Sequence, residues 1–332
     1  MVRRLAAWLS LALLLGAPAI AGGEAAFVFV CNQDAATVSV IDTATDEVVA
    51  TIPVAFAPAG IAADREGARL FVTHPERGEI SVIDADKRQV AKTLKVGGTP
   101  FGITVGQDDT LFVSDWNSNT VAAIDPVSGA QLRKIAVGHS PAGIVSSPQG
   151  ALVIVANRES NTITIPNVTT LGAVATIPVG RAPFALTMSP DGTRIYVANV
   201  QSANVSVIST ETLRSIATIE VGHMPYGLAT SLDGERLLVA SQSTGHVTVI
   251  DTGMFRVMST EKVGRFPEGI VVSPMGTKAY VANWFSGDVS VVDIKSGKEI
   301  KRIAAGGGAR ALAVVSRPEN GARPGRSAEH RP

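Results

Sequence analysis

Four residues that can bind anions or metals recur at a constant spacing along the chain. His139, Arg181, His223 and Arg265 lie 42 residues apart, and each directly follows a Val-Gly dipeptide. Arginine forms strong charge-assisted hydrogen bonds with carboxylates and phosphates, and the imidazole of histidine is a common metal ligand. This spacing predicts a site for an anionic or metal-bearing ligand.

A second position, directly after a loop proline, also changes in type where the surrounding sequence is regular. Because Glu268 and Arg310 stand in neighbouring copies of this position, we expect an ion pair between them. Trp116, Trp284 and Tyr226 add flat surfaces on which a ligand could stack. The alternative is that half-exposed loop positions simply tolerate polar residues. The seven residues at the second position are Ala59, Phe101, Ala142, Phe184, Tyr226, Glu268 and Arg310.

Three histidines are candidate metal ligands, namely His74, His139 and His223. A catalytic metal site usually needs three protein ligands that converge on one ion. These histidines come from different copies of the series, so they would meet only if their loops lean inward. We therefore expect no cofactor, and we keep a metal site at these histidines as an alternative.

A strand-like motif recurs seven times with a period of 41 or 42 residues. In the copy around His223, the predicted strands are Tyr226–Thr230, Arg236–Ser241, His246–Asp251 and Arg256–Val263, with glycine-containing turns between them. A four-stranded unit of about 40 residues that repeats around an axis is a propeller blade. The sequence thus predicts an all-β fold, a seven-bladed β-propeller of four-stranded blades. The recurring motifs are Phe27–Asn32, Leu70–His74, Leu111–Asp115, Val153–Asn157, Ile195–Asn199, Leu237–Ser241 and Ala279–Asn283.

The two ends of the repeat array predict how the ring closes. The first copy begins at its second strand, Phe27–Asn32, whereas the last copy is followed by one extra first strand, Arg310–Val315. Pairing of this C-terminal strand with the N-terminal strands would complete one blade and hide both sheet edges. The predicted propeller domain spans residues 22–316.

The remaining segments have other compositions. Residues 1–21 combine a basic start, an apolar run and a small-residue cleavage motif, which is typical of a secretory signal peptide. Residues 317–332 have the composition of a disordered tail. We therefore expect a periplasmic or secreted protein that is monomeric and has no membrane span after cleavage of the signal peptide.

Cysteine content and charge limit the classes of function. The single cysteine, Cys31, cannot form an intramolecular disulfide and is interpreted as a small buried residue. The chain has a formal net charge of zero, and the signal peptide and the tail each carry +2. The body between them is therefore acidic, which argues against a protein that binds nucleic acid.

Polar residues that repeat in every copy are interpreted as architectural. We expect the asparagines that end the second strands to act as turn-forming caps rather than as ligands. No phosphate-binding glycine loop, nucleophile elbow or cysteine pair occurs in the sequence. These asparagines are Asn32, Asn157, Asn199 and Asn283.

The repeat resembles that of the YVTN-type β-propeller family. The resemblance covers nearly all of residues 27–315 and is carried by "YVAN" at Tyr196–Asn199 and Tyr280–Asn283, by "SPDG" at Ser189–Gly192, and by the Val-Gly-x-x-Pro loops. It implies an exported propeller, because that family includes surface-layer proteins, proteins encoded beside quinone-dependent dehydrogenases and a periplasmic protein that binds single-stranded DNA. More distant look-alikes include lactonases, a streptogramin lyase and haem d1 propellers, so the resemblance specifies a fold and leaves the function open.

Three functions remain open. The leading hypothesis is a non-catalytic exported propeller that binds a partner protein or a small anionic ligand on its channel face, as an accessory of a periplasmic redox or quinone-dependent system. The first alternative is a metal-dependent lyase or lactonase-like enzyme that uses the channel-face histidines. The second is binding of single-stranded nucleic acid through Trp116 and Trp284, which the acidic body disfavours.

Overall fold

The computed structural model describes residues 25–150, 152–167 and 172–317. These residues form seven antiparallel four-stranded sheets, six of them with strands in consecutive order and one that joins the last strand to the first three, which is the arrangement of a seven-bladed β-propeller. The predicted fold class is therefore confirmed. The proposed signal peptide, residues 1–21, lies outside the described residues, and so do residues 318–332 of the proposed tail, residues 317–332, whose first residue, Arg317, ends a strand.

Blades 1 to 6 each contain four strands that follow one another in the chain. Blade 1 contains β4 to β7, and each later blade takes the next four strands, up to β24 to β27 in blade 6. One 3₁₀ turn, Arg158–Ser160, follows β13. The strands are β4 Ile61–Ala63, β5 Arg69–His74, β6 Glu79–Asp84, β7 Gln89–Lys95, β8 Pro100–Val105, β9 Leu111–Asp115, β10 Thr120–Ile124, β11 Gln131–Ala136, β12 Pro141–Ser146, β13 Val153–Asn157, β14 Thr162–Pro166, β15 Ala173–Pro178, β16 Pro183–Met188, β17 Arg194–Asn199, β18 Asn204–Ser209, β19 Arg214–Glu220, β20 Pro225–Thr230, β21 Arg236–Ser241, β22 His246–Asp251, β23 Arg256–Lys262, β24 Pro267–Val272, β25 Lys278–Asn283, β26 Asp288–Asp293 and β27 Lys298–Ala304.

Blade 7 closes the ring with strands from both ends of the chain. It combines β28 (Ala309–Arg317) with β1 (Ala25–Asn32), β2 (Thr37–Asp42) and β3 (Glu47–Pro53). The antiparallel register of β1 and β28 places Val28 opposite Val314. The predicted ring closure is confirmed, with the last strand two residues longer at its C-terminal end than the sequence indicated.

The closing blade is also joined to its neighbour, blade 6, through side chains. The Tyr280 hydroxyl donates a hydrogen bond to Asp46 at 2.5 Å, and the Lys278 ammonium lies 2.6 Å from the same carboxylate. Burial, together with this carboxylate, raises the pKa of the Tyr280 hydroxyl, which therefore stays protonated. These contacts connect the N-terminal strands of blade 7 to blade 6.

The core lies between neighbouring blades. The middle strands read as nearly continuous buried runs, because each sheet is covered on both faces by the sheets beside it. The outer strand alternates between exposed and less exposed residues, as in Glu47–Pro53, because its far edge faces solvent. One core cluster joins Phe29 and Val40 of blade 7 to Leu70 and Val72 of blade 1.

The asparagines that end the second strands have a different role from the one predicted. They are fully buried, and their amides donate to hydroxyl groups on the third strand, as Asn157 does to Thr162 at 3.0 Å and to Thr164 at 2.8 Å. The interpretation as turn caps was therefore wrong. Each asparagine ties two strands together, because a buried amide must find partners inside the protein.

No helix in the described parts of the chain is long and apolar enough to cross a membrane.

Candidate functional site

The first strand of each blade lines a central channel, and its close packing depends on glycine. In blade 6, a Cβ atom on Gly269 would lie 2.1 Å from the carbonyl oxygen of Arg310 in blade 7. In blade 5, a Cβ on Gly227 would meet the carbonyl oxygen of Glu268 at the same distance. Because glycine has no Cβ, neighbouring first strands approach closely and leave a narrow channel.

The residue after the loop proline precedes this glycine in five blades, and its larger side chains line the channel. Phe101 and Phe184 are two blades apart, but Ala142 between them is small, and their ring centroids lie 5.7 Å apart. The rings of Phe184 and Tyr226 are 4.6 Å apart. These three rings, Phe101, Phe184 and Tyr226, form what we call the aromatic arc.

One ion pair completes the ring of side chains. Arg310 Nε lies 3.3 Å from Glu268 Oε2, and both side chains are 13% exposed. The Gln242 amide donates to Glu268 Oε1 at 2.8 Å. The guanidinium of Arg310 also lies 5.6 Å from the centroid of Phe101. The predicted pair is confirmed, and it stands directly against the aromatic arc.

Burial controls the ionisation of the channel side chains. It raises the pKa of the Glu268 carboxyl, and the positive charge of Arg310 and the hydrogen bond from Gln242 oppose this shift without cancelling it. Burial likewise raises the pKa of the Tyr226 hydroxyl, and the nearby Glu268 adds to the shift. Glu268 therefore holds a proton more readily than an exposed glutamate does.

The aromatic arc and the Glu268–Arg310 pair border a cavity of about 240 Å³. First-strand residues from all seven blades contribute to its wall. Three of the residues selected from the sequence, Tyr226, Glu268 and Arg310, line it. Trp116 does not line the cavity, but its ring centroid lies 5.1 Å from that of Phe101.

Two ring residues and one polar residue of this site were not among the selected candidates. Phe101 and Phe184 occupy the same repeat position as Tyr226, and that position was the signal that could have identified them. Gln242 directly follows a second strand, the position that Trp116 and Trp284 hold in other copies. Its contact with Glu268 joins adjacent blades and depends on tertiary structure.

The four loop residues that began the series do not line the channel. His139, Arg181, His223 and Arg265 are all exposed, and none contributes to the wall of the cavity. Serine hydroxyls fix the loop backbone, since the amide of His139 donates to Ser160 Oγ at 2.8 Å. The structure distributes these residues one per blade instead of gathering them at the channel wall.

Trp284 belongs to a second depression, between blade 6 and the closing blade. Its indole Nε1 donates to Gln33 Oε1 at 3.1 Å, and its ring centroid lies 6.4 Å from that of Phe285. The guanidinium of Arg265 lies 4.4 Å from the centroid of Phe285. This open groove of about 540 Å³ is lined by Trp284, Phe285 and the glycine run 306–308, with Asp34 at its side.

The three candidate metal ligands differ in their surroundings, because His74 is buried whereas His139 and His223 are exposed on loops. His74 is fully buried at the end of a second strand, and its Nδ1 donates to the Phe56 carbonyl oxygen at 3.2 Å. Its Nε2 accepts a hydrogen bond from Ser81 Oγ at 2.9 Å, so both ring nitrogens are engaged. Within residues 25–150, 152–167 and 172–317, no group of three His, Cys, Asp or Glu side chains is arranged to hold a metal ion.

Cys31 is fully buried, as interpreted from the sequence. Burial raises the pKa of its thiol to about 12, so the reactive thiolate form is strongly disfavoured.

Two family models match parts of the sequence. The YNCE-like β-propeller model matches residues 10–110, and the seven-bladed β-propeller model of lactonases matches residues 123–213. Both support a propeller family, and the finer resemblance to the YVTN-type repeat stays a prediction. No curated protein matches the sequence significantly.

Solved structures resemble the chain over most of its length. They include the hydrazine synthase of Kuenenia stuttgartiensis, with 23% identity and a TM-score of 0.71 over 80% of this chain and 91% of that one. The periplasmic gluconolactonase PpgL of Pseudomonas aeruginosa has 19% identity and a TM-score of 0.74 over 89% and 100%. A protein of unknown function from Desulfotomaculum acetoxidans has 18% identity and a TM-score of 0.75 over 88% and 99%. At these identities the likeness shows the fold alone.

Proposed function

We propose that the protein binds a small carboxylate that carries a flat ring, in the channel mouth between Arg310 and the aromatic arc. The observation that supports this most directly is that part of the Arg310 guanidinium has no hydrogen-bond partner among the described residues. Its Nε is engaged by Glu268, whereas its Nη1 and Nη2 form no hydrogen bond with any described residue. A nearly buried guanidinium with two free nitrogens offers the fork that a carboxylate recognises.

The size and wall of the cavity indicate the rest of the ligand. A dry cavity of about 150 Å³ can hold benzene, so the channel cavity of about 240 Å³ has room for one ring and a carboxylate. Phe184 and Tyr226 offer ring edges and faces for packing against an aromatic ligand. The polar contact is confined to one side of the cavity, which would orient the bound ring.

Isothermal titration calorimetry with 3-phenylpropionate tests this proposal. We expect Arg310→Gln to weaken binding by about 10-fold to 100-fold, the usual worth of a charge-assisted hydrogen bond. Arg265→Gln is the matched control, because Arg265 is exposed and does not line the cavity. Phe184→Leu should weaken binding without removing any charge, which separates ring packing from electrostatics.

Two results would contradict the proposal. One is the failure of the wild-type protein to bind 3-phenylpropionate, benzoate or phenylacetate. The other is an equal loss of binding in Arg310→Gln and Arg265→Gln, which would indicate a general effect of surface charge. Circular dichroism of each variant verifies that it is folded.

Hydrolysis of a lactone is the second candidate function, and the raised pKa of Glu268 favours it. A carboxylate with a raised pKa is a stronger base than usual, and it could take a proton from water that attacks a lactone carbonyl and then give this proton to the ring oxygen as the C–O bond of the lactone breaks. Arg310, beside it, could stabilise the negative charge that develops on the carbonyl oxygen. One of the two family matches is to lactonases, and one similar structure is a gluconolactonase.

The test of this second function is the hydrolysis of D-glucono-1,5-lactone above its spontaneous rate. If Glu268 is the base, Glu268→Gln should lower the rate by at least about 100-fold. The double variant His139→Ala/His223→Ala should then hydrolyse the lactone at the wild-type rate. Loss of activity in that double variant alone would favour the metal-dependent alternative.

The proposal includes the place where the protein acts. The leader-like residues 1–21 support export to the periplasm or beyond, where a monomer would meet a small ligand or a partner protein. A role beside a periplasmic redox system rests on the family resemblance. Binding of single-stranded nucleic acid is disfavoured, since Trp116 packs against Phe101 of the aromatic arc and Trp284 lies in a separate groove.

A further inference from the structure

We infer that binding of a carboxylate in the channel mouth is coupled to the uptake of one proton by Glu268, so that the protein captures its ligand at low pH and releases it as the pH rises. This inference rests on the proposed binding function and adds its regulation. It follows from the number of charges that the cavity can neutralise.

Without a ligand, the charges of Arg310 and Glu268 balance each other. Arg310 supplies one positive charge and Glu268 one negative charge, at a distance of 3.3 Å. A ligand carboxylate on the free nitrogens of Arg310 would bring a second negative charge close to Glu268. Two carboxylates that share one cation in a confined site cannot both stay ionised at low cost, so one of them takes a proton.

The groups around Glu268 do not offer a second cation. Gln242 is neutral and donates to Oε1, and Tyr226 is a neutral phenol in the neighbouring blade. Asp34, which follows β1 in the closing blade, adds a further negative charge that disfavours ionised Glu268. The positive charge of Arg158 acts to lower the pKa of Tyr226, but its guanidinium already forms an ion pair with Glu159. The added charge therefore has to be met by a proton.

Glu268 accepts this proton more readily than the ligand does. Burial already raises the pKa of Glu268 in the free protein, whereas the ligand carboxylate would face both free nitrogens of Arg310. A protonated Glu268 can still accept from Gln242 and can donate its own proton to a ligand oxygen. Protonation thus converts a repulsive neighbour of the ligand into a hydrogen-bond donor.

The sign of the pH dependence follows from this order of events. The bound complex holds the proton more tightly than the free protein, so the pKa of Glu268 is higher in the complex. Between these two pKa values the affinity falls by up to tenfold for each unit of rising pH. Below the lower value Glu268 is already protonated, and above the higher value no proton is taken up, so the affinity is constant in both ranges.

Calorimetry in two buffers with different enthalpies of ionisation measures the proton directly. With 3-phenylpropionate between pH 5 and pH 8, we expect uptake to reach nearly one proton per ligand in the window where the affinity changes. Glu268→Gln should bind with no proton uptake, with an affinity that is flat over this range and higher than that of wild type at the upper end. Arg265→Gln, the exposed control used for binding, must retain the uptake.

L-Phenylalanine is the discriminating ligand, because it differs from 3-phenylpropionate by an α-ammonium group. That group could pair with ionised Glu268 and make a proton unnecessary. Phenylalanine should therefore bind with less proton uptake than 3-phenylpropionate, and equal uptake with the two ligands would contradict the charge count. Wild-type binding of 3-phenylpropionate with no linked proton at any pH would overturn the inference, even if the Glu268 variant failed to fold. The absence of any binding would instead contradict the proposed function itself.

Discussion

The hydrogen bonds of His74, a candidate metal ligand in the sequence, give it a structural role. In four other blades the same strand end carries a buried asparagine that binds a hydroxyl group on the third strand, as Asn199 binds Ser206 at 2.9 Å. His74 also pairs with a third-strand hydroxyl, but here Ser81 Oγ donates to Nε2, while Nδ1 donates to the Phe56 carbonyl oxygen of the adjacent loop. The histidine thus takes over the structural role of the asparagine.

Substitution of His74 should change stability in a way that depends on pH. His74→Ala would leave the Phe56 carbonyl without its partner and open a cavity, at a cost of about 2–4 kcal/mol in the free energy of unfolding. Burial lowers the pKa of His74 below its ordinary 6.5, so the unfolded chain takes up the proton first. The wild-type protein should therefore lose stability as the pH falls below 6.5, by at most about 1.4 kcal/mol per pH unit.

His74→Asn provides the matched control for both effects. Its amide can donate to Ser81, as the asparagines of the sister blades do to their hydroxyl groups, and it has no group that titrates near pH 6.5. Urea denaturation between pH 5 and pH 8 measures the difference between the two proteins. An identical pH dependence of wild type and His74→Asn would show that His74 is not held in its neutral form.

At the scale of the element, the Val-Gly-x-x-Pro loop and the asparagine of the second strand form one packed unit. A Cβ on Gly138 would lie 2.7 Å from Asn157, and one on Gly180 would lie 2.6 Å from Asn199. The loop glycine therefore allows the backbone to pack against a buried amide side chain. This explains why both residues recur together along the sequence although they lie 19 residues apart.

Gly180→Ala should destabilise the protein by about 1–3 kcal/mol, because the new methyl group overlaps Asn199 and overpacks the site. Gly253→Ala is the matched control, since its Cβ would have no neighbour closer than 3.4 Å. That change should alter the free energy of unfolding by less than about 1 kcal/mol. Thermal unfolding of the two variants compares them, and equal melting temperatures would refute this account of the loop glycine.

At the scale of the whole molecule, stability depends on the joint between the two ends of the chain. The last strand, β28, contributes buried Leu312, Ala313 and Val315 to the core, and it covers the edge of β1. The same strand carries Arg310 into the channel mouth. Closure of the ring and assembly of the candidate site are therefore one event.

A chain that ends at residue 308 should fail to form a stable monomer, because it exposes the edge of β1 and part of two core clusters. A chain that ends at residue 317 keeps β28 and should behave as the full-length protein does. Size-exclusion chromatography with light scattering and thermal melting distinguishes the outcomes. A monomer that ends at residue 308 and melts at the wild-type temperature would show that the other three strands suffice.

Periodicity was sufficient to predict the architecture. The recurrence of strand motifs and loop prolines every 41 or 42 residues requires a radial repeat, and the unmatched strands at the two ends require closure. The position after the loop proline also predicted the ion pair of Glu268 and Arg310, because equivalent positions in adjacent blades are neighbours in space. These features follow from the spacing of residues along the chain, which can be read directly from the sequence.

The sequence alone could not show which of the repeated positions face the channel. His139 and His223 share one loop position, and Tyr226 and Glu268 share another only three residues away, but only the second position lines the cavity. The direction of a side chain depends on how the loop enters the first strand. Contact across the channel, as between Phe101 and Phe184, also depends on the small residue in the blade between them.

The fold and the number of blades therefore follow from the sequence, because the strand motif recurs in seven copies, and the closure of the ring follows from the unmatched strands at the two ends. The position of the candidate site depends on contacts between blades in the closed ring. The aromatic arc, the Glu268–Arg310 pair and Gln242 meet because five blades converge on one axis. Convergence is a property of the closed ring, and no single repeat carries it.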